Sequence, residues 1–282
     1  MVGRLRQVMV RRPDEAMAAA DPVRWHYTAP IDLSAARAAH DELVGALRAW
    51  DVEVLFHDEP LPEHADAVFV FDPVLVTDMG VVLLRMGKDL RRGEEEALGR
   101  CLERHGVPLL GRIEGDGRVE GGDTMWLDHD TLAVGCGFRT NGEGVRQLRA
   151  LLSPLGVDVL DYDLPYFTGP EACLHLLSLI HLVDVDLAVA YPPLLPAALW
   201  SELRRREVRL LEVPRDEFVH CQATNVLAVA PRRCIMLNGS PVTRRLLEAE
   251  GCKVVTFRGE GLSFKAEGGP SCLTRPVLRD PP

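Results

Sequence analysis

The chain has 282 residues, 47% of them hydrophobic and 26% charged, which is an ordinary composition for a globular protein of one or two domains. Its net charge of −10 argues against nucleic-acid binding, because contacts to phosphates require a surplus of Lys and Arg. No apolar run approaches the length of about 18 residues that a membrane span requires, and the N-terminus lacks the apolar stretch of a signal peptide. We therefore expect a cytoplasmic protein with no membrane partner.

Five segments of the chain follow one plan: an apolar strand, a turn, a second strand, an amphipathic helix and a short third strand. The first segment is predicted to contain strand 5–10, helix 33–50 and strand 52–56. The second is predicted to contain strands 67–70 and 80–84, helix 94–105 and strand 107–110. The third is predicted to contain strands 124–127 and 132–134, helix 142–152 and strand 157–160. The fourth is predicted to contain strands 174–181 and 187–190, helix 196–206 and strand 208–213. The fifth is predicted to contain strands 225–230 and 234–237, helix 243–251 and strand 253–257.

A last strand is predicted around residues 271–278, where it would complete the sheet of the first segment. Short strands at this spacing favour an α/β ring over a doubly wound sheet. A Rossmann fold is the competing interpretation, and it is disfavoured because no Gly-rich turn follows the first strand and opens a helix.

Polar side chains lie just before or inside the leading strand of each later segment and of the last strand. They are Asp66, Asp72, Glu120, Asp123, His175, Asn225 and Cys272. These positions recur at roughly 50-residue intervals, which is the period of the segments themselves. If the segments surround a pseudo-symmetric axis, we expect a thiol, an imidazole and several carboxylates to meet in one pocket.

Cys272 follows Gly268, Gly269 and Pro270, which predict a sharp turn because glycine reaches unusual backbone angles and proline fixes φ. A thiol on a rigid turn at the end of a strand is well placed to act as a nucleophile. The alternative is a buried turn cysteine. The seven cysteines are odd in number and include no Cys-x-x-Cys pair, which is typical of reduced thiols and offers no zinc site. Cys173 is expected to pack in the interior.

This set of side chains suits the chemistry of a guanidine. Carboxylates bind a planar guanidinium through paired, charge-assisted hydrogen bonds and hold its central carbon over the thiol. The positive charges of the substrate and of an imidazolium favour the thiolate. Attack by Cys272 would expel an amine, with His175 donating the proton and then activating water against a covalent thiouronium intermediate. Such a reaction requires no metal and no other cofactor.

Six short motifs, taken together and in order, resemble the guanidine-modifying (pentein) superfamily, and dimethylarginine dimethylaminohydrolases in particular. They are DAVFVFD at 66–72, RRGE at 91–94, EGGD at 120–123, RTN at 139–141, HLLS at 175–178 and GGPSCLT at 268–274. The resemblance spans nearly the whole chain. It implies a five-bladed pseudo-symmetric α/β propeller of repeated ββαβ units, with residues 1–282 forming a single catalytic domain.

The resemblance also implies a role for each matching residue. Cys272 would be the nucleophile, His175 the general acid and base, and Glu120 the carboxylate that orients the histidine and the substrate. The implied substrate-binding residues are Asp72 for the guanidinium, Asp66 in the pocket, and Arg91 and Arg139 for the α-carboxylate. The implied product is citrulline, released after a methylated amine. The partner would be a small-molecule guanidine, and a homodimer is allowed.

Two positions depart from the family pattern. Phe71 stands where those hydrolases have Glu, so the substrate site loses a carboxylate or gains a hydrophobic wall. Leu177 stands where arginine deiminases carry an Asp, although the sequence around Cys272 is closer to theirs. An arginine deiminase or an amidinotransferase acting on another guanidine is therefore kept as an alternative. The non-enzyme alternative is an inactive binding protein of the same fold, but such proteins lack the Cys and the His.

Several assignments have structural alternatives. His181 is interpreted as a core residue. Asp123 is either a ligand or a cap for backbone N–H groups. Arg91 and Arg92 are either substrate contacts or the solvated entrance of a helix.

Overall fold

Within residues 1–170 and 174–281, which the computed structural model describes, the chain forms five sheets of three strands. Cys173 lies outside the described residues. The strands are β1 (Leu5–Val10), β2 (Glu53–Phe56), β3 (Val74–Thr77), β4 (Gly80–Leu83), β5 (Leu109–Arg112), β6 (Thr124–Trp126), β7 (Thr131–Cys136), β8 (Asp158–Asp163), β9 (Ile180–Asp184), β10 (Leu187–Ala190), β11 (Arg209–Glu212), β12 (Val226–Ala230), β13 (Arg233–Leu237), β14 (Lys253–Phe257) and β15 (Arg275–Arg279).

The described helices fall into long ones that cover the sheets and single turns that connect elements. They are α1 (Glu15–Ala18), α2 (Pro22–Trp25), α3 (Leu33–Arg48), α4 (Glu94–Arg104), α5 (Gly142–Leu152), α6 (Leu176–Leu179), α7 (Ala197–Arg205), α8 (Arg215–Cys221), α9 (Pro241–Ala249) and α10 (Ser263–Ala266). None of them is both long enough and apolar enough to pass through a membrane.

All five sheets have the same internal order. The leading strand pairs antiparallel with the middle strand, and the middle strand pairs parallel with the third. Parallel neighbours require a crossover connection, which α3, α4, α5, α7 and α9 supply in turn. β15 pairs antiparallel with β1, so the end of the chain completes the sheet that its beginning started. The predicted α/β propeller is confirmed.

The long helices form where apolar residues recur at spacings of three and four. In α3 the buried residues include Leu43 and Leu47, and Asp32 caps the helix by accepting a hydrogen bond from Ala35 N. Asn141 of the predicted RTN motif caps α5 in the same way, at 2.8 Å from Gly144 N. The RTN motif therefore also starts a helix, in addition to any contact that Arg139 makes.

Two predicted leading strands are wrong in position. Residues 67–70 lie in and just after a 3-10 helix over Ala65–Val68, and the strand is β3. Residues 174–181 do not form one strand, because Leu176–Leu179 is a helical turn before β9. Both stretches are apolar because the turns themselves are buried, and a short buried turn has no periodicity that distinguishes it from a strand.

The turns before the leading strands are hydrogen-bonded to one another around the complete ring. Gly121 N donates to Asp72 O, Leu176 N to Asp123 Oδ1, Thr224 Oγ1 to Ser178 O, Ser271 N to Asn225 Oδ1, and Phe71 N to Cys272 O. Each bond joins one segment to the next, and the last joins the end of the chain to the second segment. The turns that carry these polar positions are therefore linked to one another by direct contacts.

Candidate active site

Glu120 and His175 form a buried pair at the centre of these turns. His175 Nε2 lies 2.7 Å from Glu120 Oε2, and the exposed fractions of the two residues are 5% and 0%. An ionised carboxylate only accepts hydrogen bonds, so Nε2 carries the proton in this contact. A carboxylate in this position fixes the orientation of the ring and stabilises the imidazolium.

The remaining contacts of Glu120 keep it ionised. Its Oε1 accepts hydrogen bonds from the backbone N–H groups of Gly87 and Lys88, at 2.9 and 3.0 Å, and Arg139 Nη1 lies 3.3 Å from both carboxylate oxygens. Burial acts to raise the pKa of Glu120, but the hydrogen bond from His175 and the charge of Arg139 outweigh it and lower this pKa well below its usual range. Glu120 is therefore a permanent anion at neutral pH.

The two glycines after Glu120 are required by close approaches. A Cβ on Gly122 would lie 2.3 Å from His175 Nδ1, and a Cβ on Gly121 would lie 2.2 Å from Phe71 O. No side chain fits at either position, so the imidazole packs directly against the backbone. The EGGD motif thus supplies both the carboxylate and the space for the ring that it orients.

Asp123 holds the turn that carries His175. Its carboxylate accepts hydrogen bonds from Thr140 Oγ1 at 2.6 Å and from Leu176 N at 3.0 Å. Burial raises the pKa of Asp123 to about 6. These contacts favour the capping alternative for Asp123 over a direct contact with a ligand.

Cys272 is the one partly exposed residue in the otherwise buried stretch 268–275. Its Sγ accepts a hydrogen bond from Asn225 Nδ2 at 3.2 Å. The glycines were predicted to provide unusual backbone angles, but neither Gly268 nor Gly269 has a left-handed φ. The left-handed residue is Glu267, with φ of 58°. A Cβ on Gly268 would lie 2.1 Å from the Phe69 ring, and one on Gly269 would lie 2.5 Å from Asn225 Cγ. The glycines are needed so that the turn can approach its neighbours.

Asp72 belongs to a buried ion cluster with Arg91 and Glu94. Its Oδ2 accepts a hydrogen bond from Arg91 Nη1 at 2.6 Å, and its Oδ1 accepts one from Gly122 N at 2.9 Å. Arg91 also donates to both oxygens of Glu94 and to Phe69 O. Arg91 is only 3% exposed, so the alternative of a solvated helix entrance is wrong for it. Its exposed neighbour Arg92 pairs with Asp89 and fits that alternative.

Asp66 is bound by two residues that the sequence did not indicate. Tyr27 Oη donates to Asp66 Oδ1 at 2.8 Å, and Lys88 Nζ donates to Oδ2 at 2.7 Å. Lys88 Nζ also donates to Trp25 O and lies 5.0 Å from the centre of the Trp25 ring. Tyr27 and Trp25 come from the N-terminal stretch with α1 and α2, which interrupts the first repeat. No spacing in the sequence relates that stretch to Asp66.

Phe71 lies beneath a buried arginine. Its ring centre is 3.8 Å from Arg275 Cζ, and Arg275 Nη1 donates to Phe71 O at 3.0 Å. Burial lowers the pKa of Arg275 to about 9. Phe71 shares an apolar cluster with Leu176 and Leu177, which connects both departures from the family pattern with the turn that carries His175.

One further histidine and one cluster of three titratable residues lie apart from these contacts. His181 is buried in β9, where burial lowers its pKa to about 4, so it is a neutral core residue at pH 7. Asp128, His129 and Asp130 come close enough together to share a metal ion, but His129 and Asp130 are exposed and Asp128 accepts a hydrogen bond from Arg206. We assign neither group to the site.

Comparison with known proteins gives the same family by sequence and by fold. The family described as N,N dimethylarginine dimethylhydrolase, eukaryotic, matches residues 17–279. An N(G),N(G)-dimethylarginine dimethylaminohydrolase of Streptomyces coelicolor is 30% identical over 95% of this chain and 96% of its own length. One of Pseudomonas aeruginosa is 29% identical over 95% of this chain and 98% of its own length. A solved structure of the Pseudomonas aeruginosa enzyme, a mutant complexed with citrulline, has a TM-score of 0.79 at 26% identity and covers 98% of this chain and 100% of that one.

Proposed function

Because the chain belongs to the dimethylarginine dimethylaminohydrolase family, we propose that it hydrolyses a methylated arginine or a related substituted guanidine. The products are an amine and a ureido compound such as citrulline. The enzyme is a C–N hydrolase acting on linear amidines, and its partner is a small molecule. We also infer that residues 1–282 act as one catalytic domain, since β15 completes the sheet of β1.

The reaction proceeds in two halves at Cys272. In the first half the thiolate attacks the guanidinium carbon, a C–S bond forms, and the C–N bond to the substituted nitrogen breaks as His175 donates a proton to the leaving amine. In the second half His175 takes a proton from water, the hydroxide attacks the thiouronium carbon, and the C–S bond breaks as the hydroxyl proton of the adduct passes to the solvent. One water molecule is consumed, and the thiolate and the protonated histidine are restored.

The Glu120–His175 contact is the observation that carries this proposal. A base that must give a proton and then take one back has to stay in one orientation through both halves. The buried bond of 2.7 Å to a permanent anion supplies that orientation and favours the charged ring that the first half requires.

The substrate-binding roles follow from the charges of the neighbouring residues. We propose that Asp72 binds the guanidinium and that Arg91 holds Asp72 in place through its bond of 2.6 Å. The resemblance gives the α-carboxylate to Arg91 and Arg139. Both arginines also pair with acids of the site, Arg91 with Asp72 and Glu94, and Arg139 with Glu120. Asp66 is proposed to form the polar wall of the pocket together with Lys88.

A panel of guanidines tests this proposal. Arginine, methylated arginines, agmatine and guanidino acids are each supplied, and both the ureido product and the released amine are measured, with and without a second amine. We expect release of a methylated amine together with an equal amount of citrulline. Preference for unsubstituted arginine would indicate a deiminase, transfer to the added amine would indicate an amidinotransferase, and no turnover of any guanidine would contradict the proposal.

Phe71→Glu sharpens the same panel. A carboxylate beside Arg275 restores the residue type that the family has there, so we expect several-fold changes in kcat/KM ratios among the guanidines. An unaltered substrate profile in the folded variant would remove Phe71 from the substrate pocket.

A further inference from the structure

Asn225 lies between the turn that carries Cys272 and the turn that carries His175. It immediately precedes β12, and only 8% of it is exposed. Its neighbour Thr224 donates to Ser178 O at 2.7 Å, three residues after His175. Asn225 itself contacts the Cys272 turn twice, through Ser271 N at 3.0 Å and through Cys272 Sγ at 3.2 Å.

The orientation of the Asn225 amide is determined by its partners. The backbone N–H of Ser271 can only donate, so the group that faces it has to be the oxygen Oδ1. The amide nitrogen Nδ2 is then directed at Cys272 Sγ and donates one hydrogen bond to the sulfur. A rotated amide would place two donors against each other at Ser271 and would turn its oxygen towards the sulfur.

We propose that Asn225 is a further catalytic residue, whose amide nitrogen holds the sulfur of Cys272 in place and stabilises its thiolate. This inference rests on the proposed function, in which that sulfur is the nucleophile. An N–H donor bonds far more strongly to an anionic sulfur than to a thiol, which is a weak acceptor. The contact therefore favours the charged form before attack and again when the C–S bond breaks.

The fit between Asn225 and the Cys272 turn depends on a residue with no side chain. A Cβ on Gly269 would lie 2.5 Å from Asn225 Cγ and 2.8 Å from Asn225 Oδ1. Both are closer than side-chain carbons pack, so the amide occupies the space that any other residue at 269 would fill. The glycine and the asparagine form one unit that sets the position of the sulfur.

Two substitutions separate the two contacts of Asn225. Asn225→Asp keeps an acceptor for Ser271 N but replaces the donor with a negative charge facing the sulfur. Asn225→Ala removes both contacts. Asn238→Asp is the matched control. Asn238 Nδ2 also donates to a side chain, Glu260, at 3.0 Å, and neither residue belongs to the Cys272 turn.

The measurement is the rate at which iodoacetamide alkylates Cys272 between pH 5 and 10, followed by mass spectrometry of the peptide that contains it. A hydrogen bond to a charged group stabilises it enough to shift its pKa by about one unit or more. We therefore expect the pH midpoint of alkylation to rise by about one unit in Asn225→Ala and further in Asn225→Asp. We expect kcat to fall at least about tenfold, with a smaller change in KM. The control should match the wild type.

Unchanged midpoints and unchanged kcat in the folded Asn225 variants would overturn the inference. If Asn225→Ala fails to fold, Asn225→Asp decides alone, because it keeps the bond to Ser271. The alkylation midpoint does not depend on any substrate. Failure of the guanidine panel would therefore refute the proposed function and still leave the contact between Asn225 and the sulfur under test.

Discussion

Two groups of charged residues in this molecule use carboxylates in different ways. The reaction group consists of Glu120, His175, Cys272 and Asn225, and the anchor group consists of Asp66, Asp72, Lys88, Arg91 and Glu94. In the anchor group, each of the three acids is paired with a lysine or an arginine. In the reaction group the shortest bond of Glu120, of 2.7 Å, is to the imidazole of His175.

In the proposed mechanism, proton transfer belongs to the reaction group. Arg and Lys keep their charge throughout the working range of pH, so the cations of the anchor group are fixed, whereas burial raises the pKa of Glu94 to about 8. Of the two groups, the reaction group is the one that combines an imidazole with a thiol. Substitutions in the two groups should therefore have different kinetic signatures, and the predictions below test that contrast from the largest expected effect to the smallest.

The largest effect is expected for His175→Ala. Removing the acid and base should lower kcat by about a thousandfold or more while the protein remains folded. His181→Leu is the matched control, because His181 is also buried, lies in β9 and has no carboxylate partner among the described contacts. Steady-state kinetics and thermal unfolding of both variants test the contrast. Substantial turnover by a folded His175→Ala preparation would contradict the assignment.

Glu120→Gln is expected to have the next largest effect. The amide keeps a similar shape but loses the negative charge that stabilises the imidazolium, so kcat should fall by about a hundredfold. The limb of the pH profile that requires the imidazolium should also move to lower pH. A variant with the wild-type pH profile would show that Glu120 does not act on the histidine.

Asp72→Asn tests the anchor group. The loss of its charge should raise KM for a guanidine by about tenfold or more and change kcat less, because a charge-assisted contact to the substrate is lost. Arg91 keeps Glu94 as a partner, so the fold should persist, and thermal unfolding checks that it does. Unchanged KM and substrate affinity would assign guanidinium binding to another residue.

The smallest effect on turnover is expected for Asp123→Asn, whose main effect is on stability. Burial raises the pKa of Asp123 from 3.8 to about 6, so between pH 4 and 6 the native state holds a proton that the unfolded chain has lost. This residue therefore makes the free energy of unfolding fall by about 3 kcal/mol as pH rises through that window. Asn cannot ionise, so the variant should lack this part of the slope.

Urea unfolding at several pH values between 4 and 7 measures that slope. Asp78→Asn is the control, since Asp78 is exposed in the turn between β3 and β4. Parallel curves for Asp123→Asn and the wild type would show that Asp123 is not protonated in the native state within this range.

Much of the ring could be predicted from the sequence, because each segment repeats one pattern of apolar residues. The return of the chain to its first sheet was predicted in the same way, and β15 confirms it. The errors fall on residues 67–70 and 174–179, where buried turns at the centre of the ring have the apolar composition of strands. At such positions the tertiary environment, and not local periodicity, determines the conformation.

The site was predicted less completely than the fold. Glu120 and His175 were found by their place in the repeat and by their motifs, and the structure brings them into contact. Asn225 occupies an equivalent place, but the sequence gave no reason to connect it with the sulfur. Tyr27 and Lys88 could not be predicted, because no pattern in the sequence places the stretch and the loop that carry them beside Asp66.

The most direct test of the account is a search for the covalent intermediate. A methylated arginine is mixed with His175→Ala, which can form the thiouronium slowly but cannot activate water, and the reaction is quenched in acid. We expect the peptide that contains Cys272 to gain the mass of the substrate minus its amine, and Cys272→Ser to gain nothing. An adduct on another residue, or release of the amine by Cys272→Ser, would contradict the account.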